Sequence, residues 1–308
     1  MKPFELIKPV FIFLLLVLAG PDIALAKLNV VTTTQDIAAI VREVGGELVN
    51  VEAIAKGYQD PHVIEAKPSY MLKVNRADLL AYQGLELEVG WLPLLIQGGR
   101  NPDVLPGKPG HLDISQAITP LEIPTGEVDR SMGDVHPLGN PHYPLNPENG
   151  LLMARLIADR LSQLDPVNTE TYANNLEHFR QHLQKKIEEW KSRLKKFRGV
   201  KLVTYHATWA YLLDYFGFEK TGTIENRPGI PPSGKHLAEL TTVMQQTNTK
   251  IILQSNFYDD EFSKLLAGKT QAIIVVLPVH VGGTPEATDY FGLFDIIVGK
   301  LEQAFSKN

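Results

Sequence analysis

The feature that most constrains this chain is a stretch of 29 residues, Thr169 to Phe197, that contains neither Gly nor Pro. Such a run reads as one helix, and at 1.5 Å per residue it makes a rod of roughly 44 Å. No other segment reads as so long a helix. A rod of this length in mid-chain must either lie along a core or join two of them, so the flanking sequence decides between the two.

Both flanks alternate strand and helix patterns. Before the rod, Leu28 to Thr33 is a β-branched run. A helix-like Gln35 to Val44 follows, stopped by Gly45-Gly46, and Val51 to Ala55 is a second apolar run. Pro68 opens another helix, Asp78 to Tyr82 reads as a third strand, and Leu85 to Ile96 reads as helical despite Pro93. Residues 98 to 148 then lose apolar periodicity and gain Gly, Pro and Asn, the mark of a long loop that is either functional or disordered. Helical periodicity resumes over Leu151 to Leu164 and stops at Asp165-Pro166.

After the rod, ended by Gly199, come strand patterns at Lys201 to Tyr205, Lys250 to Gln254 and Ala272 to Leu277. Helix patterns cover Ala207 to Tyr215, Leu237 to Gln246, Glu261 to Leu266 and Asp289 to Phe305. Alternation of this kind predicts an α/β protein of two lobes, each a mainly parallel sheet with flanking helices. The predicted limits are 27–165 for the first lobe, 166–199 for the rigid helix between them and 200–308 for the second.

The first 26 residues stand outside this scheme. Lys2 and Lys8 precede an apolar core from Phe11 to Leu18, and Ala24-Leu25-Ala26 has the small-x-small form that signal peptidase cleaves. The apolar run is shorter than the roughly 20 residues that span a bilayer. A mature periplasmic protein beginning at Lys27 is expected. With no cysteine anywhere, disulfides, thiolate ligands and lipidation on cysteine are excluded. The formal charge is −5 and offers no basic surface to nucleic acid.

Chemistry in open α/β sheets gathers at the carboxyl ends of strands. Three histidines follow that rule: His62 in Asp60-Pro61-His62 after the second strand, His206 directly after Lys201 to Tyr205, and His142 in Asn140-Pro141-His142-Tyr143 before the next helix. Three imidazoles and one further ligand suit tetrahedral Zn²⁺. Their separations match no local zinc motif, so spacing alone leaves open whether they meet.

Other histidines have ordinary explanations. His178 and His182 are an i,i+4 pair amid Glu177, Arg180, Gln181 and Lys185, a solvated helix face. His236 stands at a helix start. His111 and His136 lie in the irregular segment, and a metal-collecting role for His136 is left open. Trp209, Tyr211, Tyr215 and Phe216 have the spacing of core packing. There is no P-loop, no His-Glu-x-x-His and no Gly-x-Ser-x-Gly, so nothing points to catalysis.

Four segments together resemble the periplasmic zinc and manganese solute-binding proteins of bacterial metal ABC transporters. They are Asp60-Pro61-His62 with Pro68-Ser69; Asn140-Pro141-His142-Tyr143 with Asn146-Pro147; Tyr205-His206 with Trp209-Ala210-Tyr211; and Pro228 to Ser233 leading into His236 to Leu240. The resemblance runs from Leu28 to Phe305. It implies two lobes joined by one helix, with metal in the cleft held by His62, His142 and His206. Many relatives place a carboxylate on the loop after the last strand as fourth ligand. Here that loop reads Leu277-Pro278-Val279-His280, so His280 stands in its place, with Glu225, Asp289 or water as the alternatives.

An imidazole-rich shell favours Zn²⁺ over Mn²⁺, which prefers carboxylate oxygen. The expected function is capture of Zn²⁺ as a transported ligand by a monomer and its delivery to a membrane permease. Alternatives are a periplasmic zinc hydrolase, or a metal chaperone or adhesin on the same fold.

Overall fold

The computed structural model describes residues 27–307, so the export signal assigned to residues 1–26 lies outside the described residues. Strands β1 (Leu28–Thr32), β2 (Val49–Ala53), β3 (Leu79–Tyr82) and β4 (His111–Asp113) form one sheet. Strands β5 (Lys201–Thr204), β6 (Glu219–Thr223), β7 (Ile251–Ser255) and β8 (Ile273–Leu277) form a second. Their spatial orders are β2-β1-β3-β4 and β6-β5-β7-β8, and every pairing is parallel. In each sheet the winding reverses between the first and third strands, β1 and β3 in one and β5 and β7 in the other. A crevice opens at such a switch point.

Side chains alternate across each sheet as a doubly covered strand requires. In the first sheet Val30, Leu79 and Ala81 face an inner core, whereas Val31 and Leu80 face outward onto Val74, Trp91, Leu92 and Leu95. Those outer residues come from or adjoin helices α2 (Pro68–Asn75) and α3 (Leu92–Gly99). In the second sheet Leu202, Ile251 and Leu253 face the inner core, while Val203 and Ile252 face Leu237, Leu240, Met244 and Leu266. The inner faces of both sheets belong to one continuous hydrophobic cluster. The two halves therefore share a core.

That core is filled by helices α1 (Gln35–Gly45), α4 (Pro147–Leu164), α5 (Thr169–Leu194) and α9 (Tyr290–Phe305). Helix α5 is the predicted rod, prolonged by a tight turn over Lys195–Phe197 and ended at Gly199, whose φ of +78° is the left-handed conformation glycine adopts freely. Its buried stripe is Tyr172, Phe179, Leu183, Ile187, Trp190 and Leu194, the 3.6-residue spacing of an amphipathic helix. It packs on α1 and α4 from the first half and on α9 from the second. Trp190 stacks on Phe294 with ring centroids 5.0 Å apart and donates Nε1–H to Asp295 at 2.8 Å. Lys186 reaches the same carboxylate at 2.8 Å, and Arg193 reaches Glu302 at 3.1 Å. Ion pairs this exposed contribute little alone; the burial of Trp190 supplies most of the grip.

Three sequence expectations differ from the fold. Only Leu92–Gly99 of the stretch Leu85 to Ile96 is helical, because Leu85 and Glu86 adopt left-handed φ values of 52° and 64°. Glu88 turns inward there and accepts the backbone N–H groups of Gln83 at 2.7 Å and Gly84 at 3.1 Å. Pro93 falls in the first turn, where its missing N–H costs nothing. Strand β2 begins two residues early, with Val49 paired to Leu28. Strands β4 and β6 were not expected: one is three residues long, and the other is an edge strand, largely solvent-facing and containing Gly222.

Candidate metal centre

The carboxyl ends of the strands face a common cleft. The loop after β2 turns at Asp60, whose Oδ1 accepts the backbone N–H of His62 at 3.0 Å, and the chain enters a short helical turn over Pro61–Val63. Trp91 pins that turn by donating Nε1–H to the Pro61 carbonyl at 2.8 Å. His62 is thus held by a local Asx turn and a buried tryptophan.

His142 sits in a turn of similar construction, its N–H donated to Asn140 Oδ1 at 2.9 Å. Asn140 ties this turn to the other half by donating Nδ2–H to the Ala207 carbonyl at 2.8 Å. Tyr211 adds a second tie, donating its hydroxyl to the Asn140 carbonyl at 2.8 Å. His206 stands one residue beyond the end of β5, after Tyr205, and begins the turn into helix α6 (Ala210–Phe216). The positions of His142 and His206 are therefore coupled through Asn140.

His62, His142 and His206 each bring a ring nitrogen to within 4.8 Å of the others. Their ring centroids are 5.3 Å (62–142), 5.5 Å (62–206) and 5.7 Å (142–206) apart. In two of them one nitrogen is already committed. His62 Nδ1 lies 2.6 Å from Asp60 Oδ1, and His206 Nδ1 lies 2.9 Å from Glu225 Oε2. A carboxylate behind Nδ1 keeps the proton there, turns Nε2 into a lone-pair donor and raises its basicity, the outer arrangement that ligating histidines use.

His142 differs. Both of its ring nitrogens are buried without a hydrogen-bond partner, and the residue is 3% exposed. An unpartnered buried polar group costs about 1 to 3 kcal/mol, so the fold bears a penalty that a cation in the cleft would remove. Burial, joined by the nearby histidine charges, holds this imidazole well below its ordinary protonation range. It is neutral and ready to ligate at neutral pH. For His62, burial pulls the same way, but the hydrogen bond and charge of Asp60 outweigh it and raise the pKa. Burial likewise opposes ionisation of Asp60, yet the contacts with His62 bring its carboxyl down to about 2.

His280 follows β8 and is also buried, with Nδ1 against Asp36 Oδ2 and Nε2 unpartnered. Asp36 Oδ1 accepts the N–H of Val281 at 2.8 Å, which joins the start of α1 to the loop after β8. His280 lies near enough for its charge to act on His142, but it is not in the mutual 4.8 Å group. The two carboxylates that the sequence offers as alternatives are occupied elsewhere: Glu225 backs His206 and accepts Gly229 N–H at 2.9 Å, and Asp289 caps α9 by accepting Gly292 N–H at 2.7 Å.

The remaining histidines fall where their surroundings suggested, with one exception. His111 bonds the Val104 carbonyl at 2.9 Å and the Tyr82 hydroxyl at 3.1 Å, away from the cleft. His182 packs on Phe291, His178 is exposed, and His236 contacts the Thr223 carbonyl at 2.8 Å. The exception is His136, whose Nε2 lies 3.2 Å from His62 Nε2. Burial and the charges of His62 and His206 push it down to about 3. Sequence reasoning missed the partners Asp60, Glu225 and Asp36; only Asp60, two residues before His62, left a local signal.

Two parallel-sheet lobes with imidazoles gathered at their facing strand ends define a bilobal metal-receiving protein of the substrate-binding class. Comparison with known proteins makes this more particular. The family model described as "Zinc-uptake complex component A periplasmic" matches residues 30–304. The chain belongs to this family, and so to the substrate-binding proteins of metal ABC transporters. It is 27% identical over 293 residues to the metal ABC transporter substrate-binding lipoprotein ScbA of Streptococcus cristatus, covering 92% of this chain and 90% of that protein. It is 27% identical over 249 residues to the manganese ABC transporter substrate-binding lipoprotein PsaA of Streptococcus pneumoniae, covering 79% and 77%.

Among solved structures, a crystal structure of ZnuA superposes with a TM-score of 0.75 at 23% identity, covering 91% of this chain and 99% of that one. The Mn-bound periplasmic metal binding protein from Candidatus Liberibacter asiaticus gives a TM-score of 0.75 at 22% identity, covering 91% and 100%. At these identities the likeness shows the fold.

Proposed function

We propose that this protein captures Zn²⁺ with His62, His142 and His206 and delivers it to a membrane permease driven by a separate ATPase. The observation that carries the reading is the set of three ring nitrogens within 4.8 Å, one on a fully buried imidazole with no other partner. His280, with a free buried Nε2, is the proposed fourth ligand. The relatives' names divide between manganese and unspecified metals; donor chemistry supports zinc here, since Mn²⁺ favours oxygen ligands.

The ion is cargo, bound and released with no covalent step. Asp60 and Glu225 orient His62 and His206, and Asn140 holds His142 in register with His206. The lobes, 27–165 and 200–308, act as a monomer on either side of the helix over 166–199, and their shared core favours small adjustments over wide opening. Residues 1–26 direct export and are removed, which leaves a periplasmic protein. The relatives are named lipoproteins, but this sequence has no cysteine to acylate, and no helix among the described residues is long and apolar enough to cross a membrane. The test is competitive titration of the apo protein with Zn²⁺ and Mn²⁺. Tighter Zn²⁺ binding is expected, and a preference for Mn²⁺ contradicts the assignment.

A further inference from the structure

His62 and His206 are each oriented by a carboxylate behind Nδ1, whereas both ring nitrogens of His142 lack a partner. Whatever aims the His142 ring must therefore act on the main chain that carries it. A single residue grips that turn from both sides. Gln83, which follows β3 and is fully buried, donates Nε2–H to the Pro141 carbonyl at 2.6 Å, and its own carbonyl accepts the Tyr143 hydroxyl at 2.6 Å. A buried carbonyl needs only one donor. Here the same residue also receives a hydroxyl from the far side of the ligand, so the positions before and after His142 are tied to one point.

Gln83 is itself fixed at each polar group. Thr34 donates its hydroxyl to Oε1 at 3.2 Å, which sets the direction of the amide and leaves Nε2–H for Pro141. The Gln83 backbone N–H goes to Glu88 Oε1 at 2.7 Å, and Glu88 Oε2 accepts the next N–H, that of Gly84, at 3.1 Å. Glu88 reaches back because Gly84, Leu85 and Glu86 are all left-handed, with φ of 79°, 52° and 64°. That conformation is unfavourable for the two residues that carry a Cβ. Such strain persists only where the surroundings over-determine it, and it gathers at sites that hold ligands. The strained turn and the buried carboxylate together seat one amide beside His142.

We propose that Gln83 is the positioning residue of His142, holding the imidazole toward His62 and His206 before metal arrives. This rests on the reading of His142 as a metal ligand. Gln83 makes no hydrogen bond to any of the three rings, so its loss leaves the donor set in place. What changes is the freedom of the turn from Pro141 to Tyr143, which metal must then restrain on binding. Affinity therefore falls only to the extent that His142 contributes to it.

The experiment is chelator competition for Zn²⁺ with the parent, Gln83→Met and Tyr143→Phe, each measured again in a His142→Leu background. Thermal melting of the apo forms checks the fold. Where Gln83→Met melts clearly below the parent, Tyr143→Phe, which leaves Gln83 in place and removes one tie, decides by the same comparison. Gln83→Met should raise Kd about tenfold in the parent and less than about twofold once His142 is gone. Tyr143→Phe should raise it about threefold, again only where His142 is present. An equal rise in both backgrounds makes Gln83 a general support of the fold and overturns the proposal, as does an unchanged Kd in the parent. If His142→Leu alone binds Zn²⁺ like the parent, the ligand reading falls and takes the proposal with it, an outcome visible before Gln83 is altered.

Discussion

Replacing Asp60 by Asn tests how the carboxylate behind His62 works. Asp60 is held at about 2 against an ordinary 3.8, chiefly by its contacts with His62 working against burial. A displacement of that size corresponds to roughly 2.5 kcal/mol of interaction between the ionised carboxylate and the imidazole. The side chain is 21% exposed, so solvent screening removes only part of this. An amide keeps the shape but loses the charge, so Nε2 becomes a weaker donor. Loss of such an outer partner typically lowers metal affinity by about 10- to 100-fold. The same change lowers the raised pKa of His62, so protons compete with metal only at lower pH. Two effects with opposite pH signatures are therefore expected from one substitution. At pH 8, chelator competition should give Kd raised at least about tenfold, and the acid fall-off of affinity should move to lower pH. Circular dichroism melting checks that the apo fold is kept. Equal affinity at pH 8 would refute the role given to Asp60.

Glu88 is fully buried, and burial raises its carboxyl to about 7 despite the N–H groups it accepts. A raised carboxyl contributes stability below its unfolded value of about 4.5 that is lost as pH climbs through 7; the loss is on the order of 3 kcal/mol. Urea denaturation across pH 4 to 8 should show this slope in the parent and a flatter one in Glu88→Gln, and identical slopes would count against it. His142→Leu removes a buried ring with two unpartnered nitrogens, so the apo protein should melt no lower than the parent while tight Zn²⁺ binding is lost; a clear fall in apo melting temperature would contradict this. Trp190→Ala should cost about 3–5 kcal/mol in urea, because it empties the contact of α5 with α9. A loss below about 1 kcal/mol would mean the rod is not held there.

The rod, the parallel strands and three cleft histidines were legible because each left a local mark. The rod was a breaker-free run, the strands were short apolar runs, most of them β-branched, and each histidine sat in a turn next to a strand or helix end. Where the signal was long-range, reading failed. Glu225 pairs with His206 across 19 residues and Asp36 with His280 across 244, separations that no spacing rule reaches. The turn at Leu85–Glu86 was hidden because non-glycine residues adopt left-handed φ there, supported by a buried Glu88. Strand β6 was hidden by its exposed edge position. His136 stands in the sequence only as a member of the irregular segment, whereas its neighbour in the fold is His62, 74 residues away.

X-ray absorption at the zinc edge of the loaded protein tests the central claim most directly. The account predicts a first shell of nitrogen at about 2.0–2.1 Å, with at least three of its ligands giving the outer-shell scattering of imidazole. A shell dominated by oxygen, or one with fewer than three imidazoles, would contradict it.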